Sequence, residues 1–444
     1  MSKVETVHLE VPTFDLQWFR PAGSDENLIL LAGGGGNTKS GVKNKLQFAK
    51  EITDQKTKKS SYKIIDHVLT DCDDSEMNLC SGVSVGNIDV YNMINIILEK
   101  KCRLYIVSSS NSIENNINSE EEVKRNDNKM IKVKETNLQL QQVAEYKADM
   151  SDDRDSTINC SAILSMLDSV ITAGDDKVCR LWKIKLPYVK GKESYDGTSP
   201  FKVILKQEYI GHTAPVMALS THPDESLFCS ASKDGTCKVW IVKGGLCAFD
   251  IQCASGFEGL GSLSTSLPAV ECRGCSFLSD GESLVTMQSP RKGSTILVKW
   301  DIIEKDSNKE PTKEEITKLQ HLHAVAVRMA TVSKFPCTKL RKSDMGDFLA
   351  IGSSDGIVSV YDEHMQKIES FSCHDLPVTG LGFAPALSME ASDYSICVAS
   401  CSADNKLNVI LLGGNSILFS SLVAIFSLIL LLLLTITSYF IFRL

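Results

Sequence analysis

Four consecutive glycines, Gly33 to Gly36, followed by Lys39 and Ser40, stand out in the stretch NLILLAGGGGNTKSGVKNKLQF, Asn27 to Phe48. This spacing approaches the phosphate-cradling pattern GxxxxGK[ST], in which backbone amides and a lysine hold phosphates at a helix N-terminus. Gly33, Lys39 and Ser40 fit, but Thr38 stands where the second glycine is required. The residues after the loop, NKLQFAKEI, alternate as a strand does, and Gly41 interrupts any first helical turn. A nucleotide-binding loop is therefore not expected. Two readings remain open. One is a flexible hairpin between the strands NLILLAG and NKLQF. The other is a functional loop, because four glycines carry an entropic cost that one or two would avoid. Without side chains, successive amides can converge on an anion, or successive carbonyls on a cation, and Asn37 and Asn44 can add side-chain oxygens to a cation cage.

The other reactive residue types are less organised. Cys272-x-x-Cys275 is a pair without a second pair or a ligand-spaced histidine in sequence, so a zinc site is not expected from spacing. His321 and His323 sit at strand spacing beside a charged connector, and Asp234 and Asp355 fall in tight turns, where such residues cap backbone amides. No nucleophile with its base can be picked out, so no covalent chemistry is expected.

The chain that must position the loop has 444 residues, with 47 Lys+Arg against 55 Asp+Glu and a net charge of -8. A nucleic-acid binder would be expected to carry a basic surplus, so no nucleic-acid partner is expected. Fifteen cysteines, an odd number mostly inside apolar runs such as SLFCSAS, read as buried thiols of a reducing compartment. The first residues, MSKVETVHLEV, contain no secretory h-region. At the other end, ILFSSLVAIFSLILLLLLTITSYFIF, residues 417–442, is uncharged and rich in leucine. It is long enough to span a hydrocarbon core of about 30 Å. The expectation is a transmembrane helix that tail-anchors the chain in a lipid bilayer.

Internal repeats define the rest. GHTAPVMALSTHPDESLFCSASKDGTCKVWIV, Gly211 to Val242, has a Gly-His start, a Pro-Asp turn, an Asp-Gly turn and a strand ending at Trp240, and it resembles a WD-repeat blade. In such a blade His212, Ser230 or Ser232, Asp234 and Trp240 can form a buried polar chain. One blade cannot bury both its faces, so neighbours must resemble it. Weaker copies follow that order around Trp182, Trp300-Asp301, Tyr361-Asp362 and Pro377 to Leu412, and two more are expected at about Phe14 to Ile52 and Leu79 to Tyr146. The sequence thus predicts an all-β, seven-bladed WD-repeat β-propeller over residues 1–413, followed by one C-terminal transmembrane helix, 417–442. Glu5 to Val11 is expected to complete the last blade and close the ring. Residues 108–130, polar and rich in Asn and Ser, are expected to be a disordered insertion in the second blade.

AGGGGNTKSGVKNKL, Ala32 to Leu46, lies in the first blade of an anchored propeller. In that setting it resembles the endoplasmic-reticulum exchange factors of the COPII pathway, the prolactin regulatory element-binding protein family. The resemblance implies a guanine-nucleotide exchange factor, not an enzyme of covalent chemistry, for a Sar-type small GTPase. It would be tail-anchored in the endoplasmic reticulum membrane with the propeller in the cytosol, where it starts COPII coat assembly beside other exit-site proteins. It further implies a loop organised by a potassium ion. Gly33, Gly34, Gly35 and Gly36 would shape the backbone. Gly36, Asn37 and Asn44 would offer potassium ligands, and Thr38, Lys39, Ser40, Gly41 and Val42 would touch the GTPase. The alternative is a membrane-anchored propeller scaffold without exchange activity.

Overall fold

The computed structural model describes residues 2–21, 27–36, 41–53, 60–70, 79–89, 91–109, 130–133, 136, 138–186, 201–253, 270–290, 293–304, 321–345, 348–385 and 394–413. These form seven antiparallel sheets arranged as the blades of a propeller. Blade 1 contains β2 (Thr13–Phe19), β3 (Leu28–Gly33), β4 (Lys45–Thr53) and β5 (Ser60–Leu69). Blade 2 is built from β6 (Cys80–Ile88), β7 (Tyr91–Leu98), β8 (Lys101–Ser109), β9 (Met130–Lys132) and β10 (Leu138–Lys147), with β9 outermost. Blade 3 follows with β11 (Ile158–Leu164), β12 (Ser169–Gly174), β13 (Cys179–Lys185) and β14 (Lys202–Tyr209). Blade 4 has β15 (Val216–Thr221), β16 (Leu227–Ser232), β17 (Thr236–Ile241) and β18 (Cys247–Gln252). Blade 5 has β19 (Val270–Phe277), β20 (Ser283–Pro290), β21 (Thr295–Glu304) and β22 (Leu322–Ser333), and blade 6 has β23 (Cys337–Lys342), β24 (Phe348–Ser353), β25 (Ile357–Asp362) and β26 (Lys367–Ser372).

Blade 7 draws on both ends of the chain. Strands β27 (Val378–Phe383), β28 (Tyr394–Ser402) and β29 (Lys406–Gly413) are completed by β1 (Lys3–His8), which pairs antiparallel with β29 from Lys3↔Leu411 to His8↔Lys406. The closing strand expected at Glu5 to Val11 therefore starts and stops slightly earlier. Leu9 leaves the ladder but donates its amide to the Asn405 carbonyl at 2.8 Å, and the chain then turns into blade 1. Closure gives the β29 edge a partner within its own ring.

Burial follows the position of each strand in its blade. The second strands β3, β12 and β16 are buried at every position, because they are flanked by strands on both sides and covered by blades on both faces. The outermost strands β14 and β18 alternate toward solvent instead. Apolar clusters fill the seams between adjacent blades: Leu30 with Ile94 between blades 1 and 2, Tyr209 with Trp240 between 3 and 4, Cys229 with Phe277 between 4 and 5, and Leu16 with Val409 between 7 and 1. The inner strands β2, β6, β11, β15, β19, β23 and β27 contact one another in ring order.

One expectation needs correction. Ser108 and Ser109 belong to β8 and Met130 to β9, so the expected insertion is narrower at both ends; residues 110–129 lie outside the described residues. Strand β9, which pairs with β10 through Gln139↔Lys132 and Gln141↔Met130, widens blade 2 to five strands. The expected membrane helix at 417–442 also lies outside the described residues; among the described residues no helix is long and apolar enough to cross a membrane.

Candidate functional site

The glycine run closes strand β3, and the residues after it lead into strand β4, so the stretch is a hairpin connection in blade 1. Pairing of Gly33 with Lys45 defines its base. A strand, not a helix, follows the loop, which removes the structural condition for a phosphate-binding helix N-terminus.

The neck of this connection is built around Asn44, which is fully buried. Its side-chain oxygen Oδ1 accepts the Gly36 amide at 2.9 Å, while Nδ2 reaches the Gly36 carbonyl at 3.4 Å. The Asn44 carbonyl in turn accepts the Thr70 amide at 3.0 Å, and the Gly34 amide donates to the Pro12 carbonyl at 2.9 Å. One side chain thus ties the two arms of the loop to each other, and backbone bonds tie both arms to the blade. Three glycines are required for distinct reasons: at Gly33 a Cβ would lie 2.3 Å from the Pro12 carbonyl oxygen. At Gly34, φ is +148° and a Cβ would lie 2.1 Å from Asn44 Oδ1, so a side chain would displace the clasp. At Gly36, φ is +65°, a left-handed conformation that other residues adopt at a cost. Beneath the neck Lys45, itself buried, pairs with exposed Glu10 at 2.6 Å. That ion pair holds the Glu10 carboxyl below its usual range.

Of the expected loop residues, Gly33 to Gly36 and Asn44 come together at this neck, Gly41 is exposed at φ +75°, and Val42 is half-buried. Asn37, Thr38, Lys39 and Ser40 lie outside the described residues. The proposed potassium ligands Gly36 and Asn44 are adjacent and offer hard oxygens, the donor type that suits an alkali cation. Each carbonyl oxygen has two acceptor positions, so their mutual hydrogen bonds do not bar them from facing a cation as well.

Blade 4 shows what the equivalent connection looks like where the repeat is intact. Residues 233–235 link β16 to β17. His212 Nδ1 lies 2.9 Å from Asp234 Oδ2, His212 Nε2 lies 2.7 Å from Ser230 Oγ, and Trp240 Nε1 donates to the same Oγ at 2.8 Å. Ser230, rather than Ser232, is therefore the link in the chain. Ser232 instead donates to the Ala214 carbonyl at 2.9 Å. Burial pushes the Asp234 carboxyl up, but hydrogen bonds from His212, Thr236 and the Thr213 amide outweigh it and hold the group well below the carboxylate range. Blade 7 has a second such network that the sequence reading missed. His374 contacts Asp404 at 3.1 Å and Ser400 at 3.0 Å, Ile410 occupies the place of the tryptophan, and Asn408, paired with Ser400, donates to the Cys373 carbonyl at 2.8 Å. The available signal was His374 followed by Ser400 and Asp404, obscured because no Trp ends the strand. Trp182 and Trp300 keep shortened versions, each donating to a threonine, Thr172 or Thr286, at 2.8 Å.

The inner strands bring a further polar group together that no local spacing reveals. Lys339 and Arg341 on β23 approach Asp15 on β2 at 3.8 Å each, and Asp15 Oδ2 also accepts the Val83 amide at 3.2 Å. These pairs lock blades 1, 2 and 6 around the central channel.

Residues 204–240 match the family described as WD domain, G-beta repeat. The match runs from β14 through β17, so one sequence repeat joins the outer strand of blade 3 to three strands of blade 4. Over 95 residues the chain is 33% identical to Mitochondrial division protein 1 from each of two strains of Saccharomyces cerevisiae, a similarity that covers 21% of this chain. The chain spans 13% of the length of these curated relatives. The repeat match and the ring of seven blades together support a WD-repeat propeller.

Proposed function

We propose that this WD-repeat propeller is a membrane-anchored guanine-nucleotide exchange factor that promotes GDP release from a Sar-type small GTPase on the endoplasmic reticulum, initiating COPII coat assembly. One observation carries the reading: in blade 1 the short repeat turn is replaced by a glycine-rich connection, residues 34–44, whose neck is clasped by buried Asn44. A plain hairpin has no need of a buried polar clasp. A projecting element that must keep its shape against a partner does.

In this reading the propeller supplies a rigid base and the loop supplies the wedge. Exchange requires no covalent bond; the factor binds the nucleotide-free GTPase better than the loaded one, and the acceleration is bounded by that difference. Thr38, Lys39, Ser40, Gly41 and Val42 form the contacting apex. A potassium ion bound by the Gly36 carbonyl, Asn37 and Asn44 would stiffen the loop beneath it, with no role for Lys39 as a ligand because an ammonium has no lone pair. The apolar stretch 417–442 would hold the propeller at the bilayer, so that GTPase activated there inserts at once.

A propeller scaffold without exchange activity accounts for the repeats equally well, and the similarity to a protein named for mitochondrial division lies in keeping with it. The two are separated by measuring labelled-GDP release from purified Sar-type GTPase with residues 1–413, in potassium and in sodium buffer. Acceleration that weakens in sodium supports the exchange factor with its ion. No acceleration in either buffer leaves the scaffold.

A further inference from the structure

Five cysteines that are scattered in sequence meet in the seam between blades 4 and 5. Cys229 lies on β16, Cys237 on β17, Cys272 and Cys275 on β19, and Cys253 directly follows β18. Cys229, Cys237 and Cys272 are fully buried and Cys275 is 4% exposed. The sulfur atoms of Cys229, Cys237 and Cys275 all lie within 4.8 Å of one another. Cys272 belongs to the same apolar cluster, its thiol donating to the Gly274 carbonyl at 3.7 Å, and half-buried Cys253 packs against that cluster. None of these thiols is in a disulfide.

Strand geometry explains why the sequence concealed this. Residues three apart on a regular strand face opposite sides. A β-bulge at Arg273 breaks that rule: Cys272 pairs with Gln288 and Cys275 with Thr286, two places apart on the partner strand, so both cysteines face blade 4. Across the seam, Cys229 pairs with Val239, which is two residues from Cys237, so these two also share a face. Packing alone does not ask for such a group; Cys102 and Cys337 sit singly among the apolar residues of their own clusters.

We propose that Cys229, Cys237 and Cys275, with Cys272 as the fourth ligand, form a binding site for a thiophilic metal ion of the zinc type. A tetrahedral zinc site has Zn–S distances of about 2.3 Å, which places its sulfurs about 3.8 Å apart, so the three sulfurs of Cys229, Cys237 and Cys275 need only a modest contraction and Cys272 would turn in to complete the set. Each ligating thiol gives up its proton to solvent as its Zn–S bond forms, and no electron changes hands. Cys253, half-buried and packed against the same cluster, offers a first contact for an entering ion. The bound ion would staple two blades together, independently of any exchange activity.

The test uses the full chain purified under reducing conditions, titrated with Co2+ and then Zn2+. The expected result is about one ion per chain, with thiolate-to-cobalt charge-transfer bands and strong tetrahedral d–d bands that Zn2+ abolishes. These bands disappear in Cys237→Ser and Cys275→Ser and persist in Cys247→Ser, an exposed cysteine outside the group. X-ray absorption of the zinc-loaded wild type, which does not depend on any variant folding, shows a sulfur shell at about 2.3 Å. A folded wild type that takes up no stoichiometric metal, or a zinc shell of nitrogen and oxygen, overturns the proposal. So does cobalt binding that a folded Cys237→Ser variant retains unchanged.

Discussion

Blades 1 and 4 share a strand plan and differ at one connection. In blade 4, residues 233–235 turn tightly between β16 and β17, and the conformation is held from inside by His212, Ser230, Asp234 and Trp240. Blade 1 spends residues 34–44 on the same connection and shows no such histidine network among the described residues; its neck is held by Asn44 against Gly36. The polar device in blade 4 faces inward and stabilises the blade. In blade 1 the polar device joins Gly36 to Asn44 across the two ends of the connection. On the proposed function, the difference gives stability to one blade and partner recognition to the other, and substitutions can separate them.

The largest effect is expected in blade 4. Asp234→Ala strands His212 and the amides of Thr213 and Thr236 without their acceptor, and should lower unfolding free energy by about 3 kcal/mol in urea titrations. At a temperature where this variant is still folded, GDP release should be unchanged. Asn44→Ala is expected to do the reverse. Loss of the clasp should reduce acceleration of GDP release by about a hundredfold, as misplacement of a reactive loop does, with stability lowered by only about 1–2 kcal/mol. If both variants lose exchange and stability in proportion, the division of roles fails.

Acid should separate two windows. Burial lowers the His374 pKa below its usual 6.5, with Asp404 partly opposing, so the folded state resists the proton that the unfolded state accepts. Its contribution is fully present above 6.5 and is lost as pH falls from there toward the lowered folded value. Asp234, also depressed, contributes above its usual 3.8 and loses that contribution only as pH falls below it. Thermal melts from pH 7 downward should therefore weaken first through blade 7, and His374→Gln should flatten that first decline while leaving the second. The smallest effect is expected at Gly41→Ala: φ is +75° but a Cβ would meet nothing within 4 Å, so strain of about 1 kcal/mol should appear as a slight drop in Tm.

Much of the ring was legible because tight turns and strand-ending aromatics recur. The Asp-Gly turn with Trp240 defined blade 4, and Trp182, Trp300 and Tyr361 placed blades 3, 5 and 6. Blade 7 was legible as a strand pattern, but its polar network was not, because Ile410 stands where the aromatic cue would be. The short strand β9 was hidden inside a polar stretch, since three residues give no periodicity. At the loop, the glycines announced an unusual connection, yet the role of Asn44 as its clasp depends on a hydrogen bond to Gly36 that spacing alone does not specify. The cysteine group required both tertiary contact between blades and a bulge that overturns strand alternation, and neither is written in local sequence.

The most direct test of the division between blades is a loop exchange. Residues 34–44 would be replaced by the blade 4 turn Lys233 to Gly235, and GDP release from the Sar-type GTPase measured beside a melting curve. A ring that melts as the wild type does but no longer accelerates release is the predicted result. Undiminished acceleration by the folded exchange variant would contradict the account, because the activity would then reside elsewhere on the propeller.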